Sequence, residues 1–244
     1  MPAAVRHDHR RPAPAVEGVC LDVDGTLVDY ASSMRAGLRA LLGTDDAWAD
    51  WCAVSERHYP RFTSGQIDFE TMRRQRTKEF FAIRGEVLDE GEVVAREQRR
   101  MTAVQRAWQL FDDALPCLRS LRARGLALAA VTNAAGEYQR CKLRALGLDA
   151  AFDVLVISDE VGVAKPDPGI FHAACTALGV RMARAVHVGD RLDLDAEGAR
   201  AAGLHGVWLD RTRCGIAGRS PGVPVISQLR ELPALVSQLH GGGG

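Results

Sequence analysis

The chain has 244 residues, 47% hydrophobic and 25% charged, which is typical of a soluble globular protein with one sizeable core and a smaller module. Basic and acidic side chains number 31 each, so the net charge is zero and no basic field indicates a nucleic-acid partner. The six cysteines form no Cys-x-x-Cys pair, which favours reduced thiols over a disulfide framework or a zinc site.

Residues 1–16 contain arginines and prolines but no apolar core of a signal peptide, so we expect a flexible arm there. The glycines at 241–244 are expected to form a disordered tail. No uninterrupted apolar run is long enough to span a membrane. We therefore expect a cytoplasmic protein that binds a small molecule and contacts neither nucleic acid nor membrane. The oligomeric state stays open.

The first strong pattern after the arm is the apolar run Val19-Cys20-Leu21, which predicts a buried strand ending in Asp22, Asp24 and a glycine turn. Residues two apart on a strand point to the same side, so we expect the two carboxylates to lie together. Burying them requires a cation or hydrogen-bond donors. The rest of the chain should supply these partners.

The following stretch contains helical patterns and no convincing strand. Four helices are predicted, near 31–42, 46–59, 68–83 and 90–107. A simple doubly wound domain would instead continue directly into a crossover helix and a second strand. Residues 29–107 are therefore expected to be an all-helical cap domain inserted into the fold, and closure of such a cap would belong to the mechanism.

From residue 108 onward, helices and short apolar strands alternate. Strands are predicted at 126–131, 154–157, 185–188 and 206–209, and helices at 114–124, 136–146, from 168, at 195–202 and near 227–239. This alternation indicates an α/β fold with a Rossmann-like, doubly wound parallel sheet. Its core is assigned to residues 17–28 and 108–240.

Polar residues follow several of these strands, at the edge where ligands bind in open parallel sheets. They are Asp22 with Asp24, Thr132 with Asn133, Lys165 in its loop, and Asp190 with Asp195. Mg²⁺ prefers oxygen ligands and uses few from the protein, which favours a magnesium site with Asp22 and Asp190 as side-chain ligands.

The same residue types can transfer a phosphoryl group. The Asp22 carboxylate can attack phosphorus and carry the group as an acyl phosphate. Asp24 can give a proton to the leaving oxygen and later take one from water. Lys165 and Thr132 can bind the phosphoryl oxygens.

These segments, in this order, resemble the four motifs of the haloacid dehalogenase superfamily. The matching stretches are Asp22-Val23-Asp24-Gly25-Thr26, Val131-Thr132-Asn133, Lys165-Pro166 and the run from Gly189 to Asp195. The resemblance implies that Asp22 is the nucleophile and Asp24 the acid/base residue. It also implies that Mg²⁺ is held by Asp22, the backbone carbonyl of Asp24 and Asp190, and that Asp195 supports the metal shell and the lysine.

The insert resembles the helical caps of the subfamily that contains phosphoglycolate phosphatase, beta-phosphoglucomutase, nucleotidases and dehalogenases, where caps select substrate. Residues 65–70 and the arginine-rich helix after them look most like phosphatases acting on nucleotides or sugar phosphates. We therefore expect a magnesium-dependent phosphomonoester hydrolase. A phosphomutase would keep the same motifs, a 2-haloacid dehalogenase would normally lack the acid at Asp24, and a silent binding protein could retain the fold.

Two basic residues stand out as substrate ligands beside Thr132 and Asn133. The chain has lysine only at 78, 142 and 165 and otherwise uses arginine as its cation. Lys165 therefore places a compact ammonium in its loop, and lysine and arginine are not equivalent at a phosphate site. Arg76 lies within an otherwise apolar helical stripe and is the cap candidate for binding substrate. The alternative for Arg76 is that its stem packs while its head reaches water.

Overall fold

A computed structural model of the protein describes residues 16–213 and 222–239. The predicted tail and nearly all of the predicted arm lie outside these residues. Val16, the last residue assigned to the arm, is described and is buried in the main apolar cluster. Within the described part of the chain, no helix combines the length and apolarity that crossing a membrane requires.

The described residues form a six-stranded parallel sheet in the order β3-β2-β1-β4-β5-β6. The strands are β1 (Gly18–Leu21), β2 (Ala127–Thr132), β3 (Val154–Ile157), β4 (Ala185–Gly189), β5 (His205–Leu209) and β6 (Val225–Ile226). Val19 and Leu21 of β1 face one apolar cluster while Cys20 faces a second, so the sheet is covered on both faces. The doubly wound parallel sheet is confirmed, and its strand order reverses direction beside β1.

Residues 29–107 are all described and form four helices with no strand. They are α1 (Tyr30–Leu42), α2 (Trp48–Thr63), α3 (Phe69–Ala82) and α4 (Glu90–Arg106). Aspartates at 29, 68 and 89 cap the first, third and fourth by accepting from backbone N–H groups. The predicted end of α2 at 59 was wrong, because the helix continues through Pro60. The division into core and cap domains stays a prediction.

The remaining helices cover the sheet. They are α5 (Ala114–Ala123), α6 (Gly136–Ala145), α7 (Ser158–Val161), α8 (Pro168–Leu178), α9 (Gly198–Ala201) and α10 (Leu232–Gln238). The predicted helix at 195–202 is instead a π-helical turn, Leu192–Glu197, followed by α9. Strand β6 and helix α7 were missed because segments of two and four residues show no measurable period.

Candidate active site

Side chains from four strand ends meet at one edge of the sheet. Asp22 follows β1, while Lys165 lies in the loop before α8. The Lys165 Nζ atom donates to Asp22 Oδ1 at 2.7 Å, to Asp195 Oδ1 at 2.6 Å and to the backbone oxygen of Val131 at 2.9 Å. The ammonium thus joins the ends of β1 and β2 to the turn after β4, because parallel neighbours end at the same edge.

Asn133 holds the backbone of Lys165 rather than facing open space. Its Nδ2 donates to the Lys165 backbone oxygen at 2.9 Å, and its Oδ1 accepts from the Lys165 backbone nitrogen at 2.8 Å. Both ends of the carboxamide are therefore engaged. The geometry gives Asn133 the task of fixing the lysine loop, and its predicted contact with substrate stays a prediction.

Three carboxylates are grouped closely enough to surround one cation. Asp22, Asp190 and Asp195 each offer an oxygen, and these oxygens lie within 4.8 Å of one another. Asp22 Oδ2 is buried with no hydrogen-bond partner, and among the described residues the Asp190 carboxylate has none. Asp195 accepts from Lys165, from His187 Nε2 at 2.9 Å and from the Arg191 backbone nitrogen at 3.0 Å. Asp22 and Asp190 thus fit a divalent cation best, with Asp195 supporting.

A glycine allows these two carboxylates to approach. Gly25 has a φ of +93°, and a Cβ atom there would lie 2.3 Å from Asp190 Oδ2. Any larger residue would therefore be strained in its backbone and would collide with the carboxylate. The position of the Asp190 carboxylate therefore requires glycine at position 25.

The crowding of carboxylates shifts their protonation equilibria. Burial raises the pKa of Asp22 to about 6, although Lys165 opposes this. Burial, together with the charges of Asp22 and Asp195, raises the pKa of Asp190 to about 8. Burial would raise the pKa of Asp195 as well, but the Lys165 ammonium and the bond from His187 hold it well below its usual value. A cation bound between Asp22 and Asp190 would favour the charged form of both carboxylates and lower their pKa values.

Asp22 and Asp24 have different hydrogen-bond partners, although the charge of Asp24 contributes to the raised pKa of Asp22. Strand β1 ends at Leu21, so both aspartates lie beyond it and the alternation of side chains along a strand does not set their directions. Asp22 points toward Lys165, whereas Asp24 accepts from Lys142 Nζ at 2.7 Å on both carboxylate oxygens. The Asp24 carboxylate is therefore not part of the acidic group, and only its backbone carbonyl could act as the metal ligand that was predicted.

Sequence reasoning missed two residues of α6 that contact the site. Lys142 binds Asp24, and Gln139 Nε2 donates to Asp24 Oδ2 at 3.2 Å and to Thr132 Oγ1 at 3.1 Å. Both side chains are buried. The scarcity of lysine, which singled out Lys165, applies equally to Lys142 and could have identified it.

Arg76 occupies the interior of the helical insert. Its guanidinium donates to Glu97 Oε1 at 3.3 Å and lies 4.5 Å from the centre of the Trp51 ring, with 5% of the residue exposed. The alternative that its head reaches water was therefore wrong. Burial, together with the charge of Arg100, lowers the pKa of Arg76 to about 10. A contact between Arg76 and substrate stays a prediction.

The helical insert contacts the edge of the sheet where Asp22 and Lys165 lie, through aromatic and apolar residues. The Tyr59 hydroxyl of α2 donates to the backbone oxygen of Asn133. Phe62 and Met72 pack on Ala135, just after that turn. The insert thus covers the residues that follow β2.

Comparison with known proteins adds to this geometry. The family model described as haloacid dehalogenase-like hydrolase matches residues 16–203. A phosphoserine phosphatase from Thermus thermophilus is 43% identical over 120 residues, which are 49% of this chain and 45% of that protein. The chain thus spans less than half the length of that relative. An N-acylneuraminate-9-phosphatase from Homo sapiens is 28% identical over 247 residues, covering 92% of this chain and 95% of that protein.

Solved structures show the same architecture. The HAD-hydrolase YfnB from Bacillus subtilis, solved bound to magnesium, has a TM-score of 0.77 at 22% identity and covers 91% of this chain and 99% of its own. That likeness supports the fold alone. A 2-haloacid dehalogenase from Pseudomonas syringae has a TM-score of 0.62 at 25% identity, covering 91% of this chain and 99% of its own.

Proposed function

Because the chain belongs to the haloacid dehalogenase-like hydrolase family, we propose that it is a phosphatase that hydrolyses small-molecule phosphate monoesters through a phosphorylated Asp22. One observation carries the proposal. The Asp22 carboxylate is buried, with Oδ1 bound by Lys165 and Oδ2 without a partner. One oxygen is thereby oriented and the other is free to attack, which is the arrangement a carboxylate nucleophile needs.

The reaction divides into two displacements. Asp22 Oδ2 forms a bond to phosphorus while the ester P–O bond breaks, and Asp24 gives its proton to the departing oxygen. Water then attacks the phosphorus of the aspartyl phosphate, Asp24 takes the proton from that water, and the bond to Asp22 breaks to release phosphate. Lys165 Nζ donates to Asp22 Oδ1, and Gln139 Nε2 donates to both Thr132 Oγ1 and Asp24 Oδ2. These contacts support assigning the Lys165 charge and the Thr132 hydroxyl to the phosphoryl oxygens.

The acidic group fits Mg²⁺ as the resident cation. Asp22 and Asp190 would each offer one carboxylate oxygen to the ion, and Asp195 holds Lys165 and the Arg191 backbone in place behind them. When bound, the cation would neutralise negative charge on the carboxylates and the phosphoryl oxygens. This hard ion prefers carboxylate oxygens and takes few ligands from the protein, and the proximity of Asp22 and Asp190 supports the assignment.

Stability of the metal-free protein is expected to fall as pH rises. The pKa values of Asp22 and Asp190 are about 6 and about 8 when folded, against a usual value of 3.8, so the folded state binds protons more tightly than the unfolded state. The contribution of these two groups to the free energy of unfolding is fully present below pH values near the usual pKa. It is lost as the pH rises through the pKa values of the folded state. Thermal unfolding of chelator-treated protein should therefore show a lower Tm at about pH 8 than at about pH 5.5.

Millimolar Mg²⁺ is expected to raise the Tm by about 5 °C at about pH 8 and by much less at about pH 5.5, because protons then compete for the ligands. The Asp190→Asn variant should lose this response. Asp193→Asn should keep it, because that carboxylate lies in the same turn but is 61% exposed. An equal Mg²⁺ response in wild type and Asp190→Asn would contradict the assignment of the site.

The function itself is tested by phosphate release from a panel of sugar phosphates, nucleotides, phosphorylated hydroxy acids and an aryl phosphate, with Mg²⁺ and with chelator. We expect metal-dependent release of inorganic phosphate. Transfer of the phosphoryl group to another position of a sugar, without release, would instead identify a phosphomutase. Halide release from a 2-haloacid would identify a dehalogenase, and no turnover on any substrate would favour a binding protein.

A further inference from the structure

The side chain of Asp24 is held by a buried lysine on helix α6. Lys142 Nζ lies 2.7 Å from both carboxylate oxygens, and 1% of the residue is exposed. The Asp24 side chain remains 23% exposed at the edge of the site. The pair therefore joins a reactive, partly open carboxylate to a fully enclosed cation.

The surroundings of the ammonium fix it in place. Its remaining hydrogen bond goes to Gln139 Oε1 at 2.9 Å, one turn earlier on the same face of α6. The centres of the Tyr138 and Trp108 rings lie 5.0 Å and 5.9 Å from Nζ. Lys142 Nζ is thus enclosed by two carboxylate oxygens, one amide oxygen and two rings, which fix its position. The fixed ammonium in turn fixes the direction of the Asp24 carboxylate.

Stability alone is a poor explanation for this arrangement. The free energy needed to remove two charges from water is commonly as large as the free energy gained from their attraction in a buried pair. The chain has three lysines among 31 basic residues, and two of these three bind the aspartates of the first motif. Arginine, the cation used elsewhere in the chain, is a planar fork rather than a compact point charge, so the two cations are not interchangeable at this position.

We propose that Lys142 is a positioning residue that, with Gln139, holds the Asp24 carboxylate apart from Asp22 and directed at the leaving-group oxygen. The inference rests on the proposed function, because it takes Asp24 to be the proton donor. The side chain is held toward α6, whose Tyr138 ring lies 5.3 Å from Phe69 of the helical insert. The leaving group of an ester bound at Asp22 would lie on this covered side.

A double-mutant cycle tests the inference. Lys142→Met is expected to lower kcat/KM for an alkyl phosphate by about 10- to 100-fold, and for p-nitrophenyl phosphate by far less, since that leaving group departs without a proton. In an Asp24→Asn background, the same change should cost less than about twofold, because its effect passes through Asp24. Lys78→Met, which removes a lysine that is about half exposed, serves as the matched control and should leave both substrates unaffected.

A second variant covers the case in which Lys142→Met folds poorly. Lys142→Ala leaves space for a small amine, so ethylammonium should restore turnover of the alkyl phosphate, whereas tetramethylammonium, which has no N–H donor, should not. Equal losses with both substrates, or a full additional loss in Asp24→Asn, would overturn the inference while wild type remains a phosphatase. Absence of phosphate release by wild type would overturn the proposed function and the inference together.

Discussion

Asp22→Asn is expected to lower kcat for phosphate release by at least about a thousandfold, because an amide oxygen cannot form the phosphorylated intermediate. The substitution preserves the shape of the side chain and an acceptor for Lys165 at Oδ1, so the fold should be retained. Phosphate release with an alkyl and an aryl ester measures the loss. Circular dichroism and thermal unfolding measure the fold.

The exposed neighbour Asp193 provides the control for that experiment. Asp193→Asn also removes one carboxylate near the site, but its side chain pairs with Arg191 in solvent, so turnover should stay within about twofold of wild type. Acid quenching during turnover should trap a phosphorylated peptide containing Asp22 in wild type and not in Asp22→Asn. Near-normal turnover of Asp22→Asn would exclude the covalent mechanism.

The strand ends could be located from sequence because the sheet is parallel. Asp22, Thr132, Lys165 and Asp195 are far apart in the chain, but each follows or lies near an apolar run, and runs of one parallel sheet end at the same edge. The contacts from Lys165 to Asp22, Val131 and Asp195 show that these segments meet. The parallel topology is therefore sufficient to bring these segments to one edge, while the roles of the individual residues came from the motif resemblance.

The direction of Asp24 could not be predicted in the same way. Alternation along a strand applies only while the strand lasts, and β1 ends one residue before Asp22. The partner of the Asp24 carboxylate, Lys142, comes from a helix more than a hundred positions away in the chain. No local pattern encodes that pairing, although the rarity of lysine was visible in the sequence.

Arg76 shows a different limit of sequence patterns. The helical period correctly placed it among apolar side chains, since it is buried beside Trp51. The period of α3 says nothing about which helix packs against it. Glu97 and Arg100 of α4 bind one another at 2.6 Å, and Glu97 also accepts from Arg76, so the partner of Arg76 depends on how two helices meet.

Lys165→Met is expected to damage both the fold and the chemistry. The lysine is 5% exposed, and although burial disfavours its charge, Asp195 and Asp22 hold its pKa above the usual value. Removing the ammonium leaves two buried carboxylates without their cation, which should lower the free energy of unfolding by about 3–5 kcal/mol at about pH 8. Chemical denaturation of the chelator-treated variant measures this loss, and Lys78→Met should cost less than about 1 kcal/mol.

Combining the two substitutions separates stability from catalysis. In Asp22→Asn one of the two carboxylates is already neutral, so Lys165→Met should cost about 1–3 kcal/mol less in that background. The double variant would then be more stable than Lys165→Met alone and still release no phosphate, because the nucleophile is missing. If Lys165→Met costs the same free energy with and without the Asp22 carboxylate, the ammonium does not stabilise that charge, and the account of how Asp22 is kept ionised and oriented fails.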